Sequence, residues 1–362
     1  MRKTLFLHIG HFKTGTTALQ VFLSNNTRFL AKHDIAYAQT QLHLAKHSAL
    51  AFCLYRAAGV STLMHGYKRP ETPQELWGAL FDEVRKSRQS RIIVSSEELM
   101  RLGAHPQAAN ILKDIVSRAP RDIDIRVIAY LRAPDSHLRS WYNQLVKMGV
   151  KTPAFNDAAC RTIEPIHTDY ALALKPWLDI FGPDAVILRP YDEASRENLS
   201  LYHDFLGLFG TELPSRGVTL PVADPNPRMD DRMLEMARMM HNAGMPRDVV
   251  TWTLERSQKF YVDECADTLP TTEADFDALR QTVLSGLERL QDLPGNGLNL
   301  QAYAARLPQR EDTSEAEGWR LAGLLLNELH FLRQRMTKEN AEINARLRAL
   351  ETALNMGDPS GK

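Results

Sequence analysis

Up to about residue 212, short apolar runs alternate with helix-length stretches. The runs are TLFLHI (4–9), RIIVSS (91–96), IRVIAYL (125–131) and AVILRPY (185–191), each bounded by charge, glycine or proline. Near-continuous apolar strands separated by helices predict an α/β fold with a parallel sheet covered on both faces. After the first strand, Leu19, Phe22, Leu23, Phe29 and Leu30 fall at near-helical spacing. YALALKPWLDIFG and LSLYHDFLGLFG read as amphipathic helices that stop at glycine. Ligands of such sheets bind at the carboxyl ends of the strands, so polar residues there are the first candidates for chemistry.

The pattern changes beyond residue 212. Three segments follow from it: an α/β core over 1–212, a helical extension over 213–312 entered through a proline-rich connection, and a long C-terminal helix over 313–357. DRMLEMARMMHNAGMP is a methionine-rich helix whose methionines read as adaptable core. Ser314 and Glu317 form a capping box that starts the last helix. In that helix Leu329, Met336, Ile343 and Leu350 recur every seven residues, while the companions Leu332, Glu339, Arg346 and Ala353 turn polar. The helix therefore serves either homo-oligomerisation or packing on its own domain.

Composition adds exclusions. The 44 basic and 44 acidic residues cancel, so no net field draws nucleic acid or an anionic membrane, and any anion needs a local site. Cys53, Cys160 and Cys265 lie far apart and form no metal or redox motif, as expected in a reducing compartment. MRKTLFLHIG starts with basic residues, but its apolar run is too short for a signal peptide and reads as the first strand. No run approaches the roughly 18 apolar residues that span a bilayer. A soluble, cytoplasmic protein is the expectation.

The chemistry concentrates in two motifs. In HIGHFKTGTTALQ, Gly10 and Gly15 keep the glycine spacing of a nucleotide-phosphate loop, yet Thr16 follows Gly15 and the lysine sits inside the loop as Lys13. Backbone N–H groups at a strand–loop–helix turn form an anion nest, and Thr14, Thr16 and Thr17 add hydroxyls. Without a lysine after Gly15, a triphosphate loses its principal cation. In RVIAYLRAPDSHLRSWYNQLVKMG, Arg132 ends a strand, Pro134 and Asp135 open a helix, and Ser140 lies two turns along it. A guanidinium fork beside a hydroxyl suits a phosphate.

Both motifs resemble those of the sulfotransferases that use 3′-phosphoadenosine 5′-phosphosulfate (PAPS), and the resemblance covers residues 3–210. Phe12 departs from it, since many members have proline there. The resemblance implies a P-loop-type central parallel sheet and a transfer of the sulfuryl group from PAPS, as co-substrate, to a hydroxyl or amine, with carbohydrate among the acceptors. It assigns Lys13, Thr14, Gly15, Thr16 and Thr17 to the 5′-phosphosulfate and Arg132 and Ser140 to the 3′-phosphate, with no metal. Two residues compete for the base. Glu97 follows a strand where cytosolic members carry histidine, and otherwise reads as a helix-start carboxylate. His47 follows Lys13 at about the interval that separates lysine from a catalytic glutamate in some glycan-modifying members, and otherwise reads as structural.

Rival readings are a small-molecule or nucleotide kinase, or a non-catalytic binding protein on the same fold. HLAKH lacks the glutamate and third ligand of a zinc motif, and no G-x-S-x-G appears. Trp141, Tyr142, Tyr170 and Trp177 read as packing before acceptor lining.

Overall fold

The computed structural model describes residues 2–61, 67, 70–192, 199–221, 229, 231–257, 272–291, 293–294, 297–311 and 315–355. Five strands form one sheet: β1 (Lys3–His8), β2 (Ile35–Tyr37), β3 (Arg91–Ser95), β4 (Ile123–Arg132) and β5 (Val186–Tyr191). Their spatial order is β2-β3-β1-β4-β5 and every pairing is parallel. This is the α/β architecture the apolar runs predict, with one addition. Strand β2 is three residues long, too short to carry a periodic signal of its own.

Alternate residues of each strand enter opposite cores, as the period-two geometry of a strand requires. Leu5, Leu7, Ile92, Val94, Val127, Ala129 and Leu188 join one cluster with residues of α3 (Ser48–Ala57), α4 (Pro73–Lys86), α5 (Pro106–Ser117) and the helix Tyr170–Phe181. Phe6, Ile93, Ile128 and Tyr130 join the other, with Leu19, Phe22 and Leu23 of α1 (Thr16–Asn25), Leu30 of α2 (Thr27–Lys32), and Leu201 and Phe205 of the helix Ser200–Gly207. Burial of both faces explains why the central strands read as unbroken apolar runs. Helix α6 (Pro134–Lys147) leaves the end of β4 after a single residue.

The described chain divides into two units. The first comprises Met1–Gln144, Phe155–Arg228 and Thr271–Arg310, and holds the sheet. Within it the chain returns after residue 270, and Val283, Leu287, Leu290 and Tyr303 join the larger core cluster. The second comprises Leu145–Ala154, Met229–Pro270 and Glu311–Lys362. Its small core holds Met236, Met240 and Val250, so the methionine-rich helix Asp231–Asn242 buries methionines at i and i+4. Thr152 binds Asn242 through both its N–H and its carbonyl, at 3.1 and 2.7 Å. The last helix runs Glu315–Asn355. The Ser314 end of the expected capping box and Cys265 lie outside the described residues. Among the described residues no helix is long and apolar enough to cross a membrane.

Candidate active site

The loop between β1 and α1 turns on three residues with positive φ: Gly10 at 59°, Lys13 at 64° and Gly15 at 73°. A Cβ on Gly10 would stand 2.4 Å from the Thr16 methyl, and one on Gly15 2.7 Å from Leu201, so space as well as φ excludes a side chain. Lys13 holds the left-handed conformation without being glycine, a strain that persists only where the surroundings impose it. Thr14 is fully buried; its hydroxyl donates to the His11 carbonyl at 2.6 Å and accepts the His11 N–H at 3.2 Å. That hydroxyl closes the loop on itself. Thr16 is buried at the start of α1 and Thr17 is exposed. No side chain caps α1, so its first-turn N–H groups and positive dipole end serve the loop.

Helix α6 lies against this loop. His137, Ser140, Trp141 and Gln144 follow i, i+3, i+4, i+7 spacing and so share one helix face. Three of them touch consecutive loop residues. The His137 ring is 4.3 Å from that of His11, the Trp141 ring 4.8 Å from that of Phe12, and Gln144 Oε1 accepts from Lys13 Nζ at 3.2 Å. Ser140, buried, occupies the same stripe. Arg132, 3% exposed, ends β4, and β4 pairs directly with β1. Trp141, Tyr142, Tyr170 and Trp177 are all buried.

A cluster that the sequence reading missed joins the two motifs. His11, His137 and His167 are fully buried, and one nitrogen of each lies within 4.8 Å of one nitrogen of the others. Phe12 N–H donates to His11 Nδ1 at 2.8 Å, so Nε2 carries the proton and donates to the Ile166 carbonyl at 3.0 Å. His137 Nε2 and His167 Nδ1 share one proton across 3.0 Å, and Trp141 stacks on His167 at 4.3 Å. By spacing the triad could hold a metal ion. Both His11 nitrogens are already committed, however, and the cations Arg132 and Arg101 act on His137 and His167 respectively. The arrangement fits a neutral packing cluster better than a dication. No local spacing announces it, because the three histidines come from the loop, α6 and a short turn far along the chain.

Burial pushes His11 down to about 4 and His137 and His167 well below the ordinary 6.5. His8, bonded through Nδ1 to the Ser95 hydroxyl at 2.7 Å, falls to about 3 for the same reason. The unfolded chain takes up these protons below about pH 6.5 while the folded one refuses them, so stability is lost as pH falls. One unit below 6.5, each such imidazole costs about 1.4 kcal/mol. The melting temperature is therefore expected to stay level from about pH 8 to 6.5 and to drop steeply towards pH 5. A flat profile down to pH 5 would refute the neutral cluster.

The two base candidates occupy different settings. Glu97 follows β3 and packs beside the loop, its Cβ 3.6 Å from where a Gly10 Cβ would stand. Its carboxylate accepts from Gln20 Nε2 at 2.8 Å and Lys46 Nζ at 3.2 Å, and its side chain is 12% exposed. Lys46 also reaches Glu98 at 3.0 Å. Burial works against the ammonium, but the two carboxylates outweigh it and raise its pKa. Gln20 bonds Ser95 Oγ at 3.1 Å, tying α1 to β3. His47, by contrast, is fully buried and gives both ring nitrogens to backbone: Nδ1 accepts from Ser95 N–H at 3.1 Å and Nε2 donates to the Ala38 carbonyl at 2.9 Å. Burial lowers its pKa. His47→Ala would strand an N–H and a carbonyl and leave a cavity. A loss of about 3 kcal/mol is expected, read as a lower denaturant midpoint; an unchanged midpoint would refute this structural role.

No family model matches the chain, and no curated protein matches it. Among solved structures, the chain is similar to a sulfotransferase from Alicyclobacillus acidocaldarius. The two share 17% identity, and the match covers 69% of this chain and all of that one, with a TM-score of 0.37. A likeness that slight transfers no residue roles.

Proposed function

We propose that the chain is a transferase that moves a sulfuryl group from PAPS to a hydroxyl or amine of an acceptor, releasing adenosine 3′,5′-bisphosphate. The observation that carries this reading is the seating of α6 on the loop through Lys13–Gln144 and the His11 and Phe12 ring contacts. A phosphate-type loop and a buried arginine–serine pair then serve one end of the sheet, at the distance of neighbouring strands.

Lys13, the loop amides and the α1 N-terminus stabilise the 5′-phosphosulfate and the charge that develops on its bridging oxygen as the S–O bond breaks. Thr16 and Thr17 add hydroxyls, while the Thr14 hydroxyl, bonded to His11, shapes the loop. Arg132 and Ser140 hold the 3′-phosphate. Glu97 takes the acceptor proton as the new S–O or S–N bond forms, and His47 holds β3 in place for it. Lys46 and Gln20 orient the Glu97 carboxylate.

Thermal shift tests the reading without knowledge of the acceptor, because a ligand that binds only the folded state raises the melting point by mass action. At a hundredfold excess over Kd, adenosine 3′,5′-bisphosphate is expected to add about 2.7 kcal/mol. Adenosine 5′-phosphate, lacking the second anion, should add far less. Stabilisation by ATP with magnesium and none by the bisphosphate would point to a kinase instead, and no shift by either would favour a non-catalytic protein.

A further inference from the structure

We infer that the C-terminal helix pairs with the same helix of a second copy of this chain as a parallel, two-stranded coiled coil. The inference is independent of the nucleotide site. Along Glu315–Asn355, Leu329, Met336, Ile343 and Leu350 are each more than half exposed, and so is Leu347. A helix of a folded protein seldom presents five large apolar side chains to water in one row.

The row has a definite register. Four residues after each member of the seven-residue series come Arg333, Asn340, Leu347 and Leu354. Alternating steps of four and three are the seam of a left-handed coiled coil. The series Leu329, Met336, Ile343, Leu350 takes the d positions, and Arg333, Asn340 and Leu347 the a positions. Companions three residues on, Glu339 and Arg346, instead fall at g, flanking the seam. From Leu329 to Leu350 the seam is about 30 Å long at 1.5 Å per residue.

Two features identify the occupant as a second copy. Asn340 sits at a mid-seam a position, where an amide facing its own counterpart fixes register and favours a parallel pair. Arg333, the other polar a residue, is exposed, and its long stem can line the seam with the guanidinium in water. The g and e positions are also self-complementary. Arg346 at g faces Glu351 at e of the second copy, and the remaining pairs, Glu339 with Asn344 and Leu332 with Thr337, bring no like charges together. Each contact forms twice in a symmetric dimer. From Phe331 to Thr352 the residues outside the seam are exposed, and Arg335 bonds Glu339 at 2.8 Å. Nearer its start the helix packs on its own unit through Leu325 and the buried Glu328.

Light scattering on the full chain at tens of micromolar tests this. The expected mass is twice 41.0 kDa. The double variant Ile343→Asp, Leu350→Asp should run as a monomer while keeping the thermal shift with the bisphosphate, since the sheet is untouched. Arg346→Glu should weaken the dimer about tenfold, by replacing two attractions with two repulsions, and adding Glu351→Arg should restore it. Asn340→Cys should cross-link to its copy under mild oxidation. A monomer at every concentration, a dimer that survives the double aspartate variant, or a reversal pair that fails to rescue would each overturn the proposal.

Discussion

If the proposed reading holds, Arg132→Ala is expected to erase a preference for adenosine 3′,5′-bisphosphate over adenosine 5′-phosphate. Arg132 is 3% exposed at the end of β4, and that strand end is pinned from two sides. Tyr170 donates its hydroxyl to the Arg132 carbonyl at 2.7 Å, and Tyr303 donates to the Leu131 carbonyl at 2.6 Å. A side chain launched from a fixed backbone, already desolvated, loses little on meeting a phosphate, and its bidentate fork suits that anion. Removing one partner of a buried charge pair costs 2–5 kcal/mol as an order of magnitude, so the bisphosphate should bind about 10²–10³-fold more weakly. Adenosine 5′-phosphate should bind as before, since Lys13 and the loop are untouched. Titration calorimetry with both nucleotides separates this from a general defect. Equal losses for the two would mean that Arg132 supports the fold and not the 3′-phosphate.

The sheet was legible in the chain because burial on both faces writes an unbroken apolar run, and four strands carry one. Strand β2 was not, since Ile35, Ala36 and Tyr37 are too few to show a period. The loop was legible because its glycines answer a local steric demand at Gly10 and Gly15. What the loop leans on was hidden. His137, Trp141 and Gln144 share a face by ordinary helical spacing, but nothing local says that this face meets His11, Phe12 and Lys13. Lys46 stands beside His47 in the sequence, and nothing local shows that its ammonium bonds the carboxylates of both Glu97 and Glu98. The interval between Lys13 and His47 is visible in the sequence, but that both His47 nitrogens bond backbone is not, because Ala38 and Ser95 come from other parts of the chain. Local chemistry is written locally; the partner of a side chain is decided by strand order.

Glu97→Gln should give the second large effect, on turnover and not on binding. The substitution keeps the shape of the side chain and one oxygen for Lys46, while the new NH2 takes the place of the oxygen that accepts from Gln20. A flip of the Gln20 amide relieves that mismatch, so the melting temperature should fall only modestly. It removes the group able to take a proton. A positioned base contributes about 10²–10⁴-fold, and kcat should fall by that factor while the bisphosphate shift is retained. The measurement is release of adenosine 3′,5′-bisphosphate from PAPS with a panel of alcohols and amines, followed with whichever acceptor the unaltered protein turns over. Glu98→Gln serves as the contrast. Glu98 is 1% exposed and accepts from Ser96 Oγ at 2.7 Å as well as from Lys46, so its loss should lower stability before rate. Full turnover in Glu97→Gln, with a collapse in His47→Gln that leaves the fold intact, would transfer the role of base to His47. A fall in bisphosphate affinity in Glu97→Gln would instead show that the carboxylate shapes the Gly10 loop, whose backbone it adjoins.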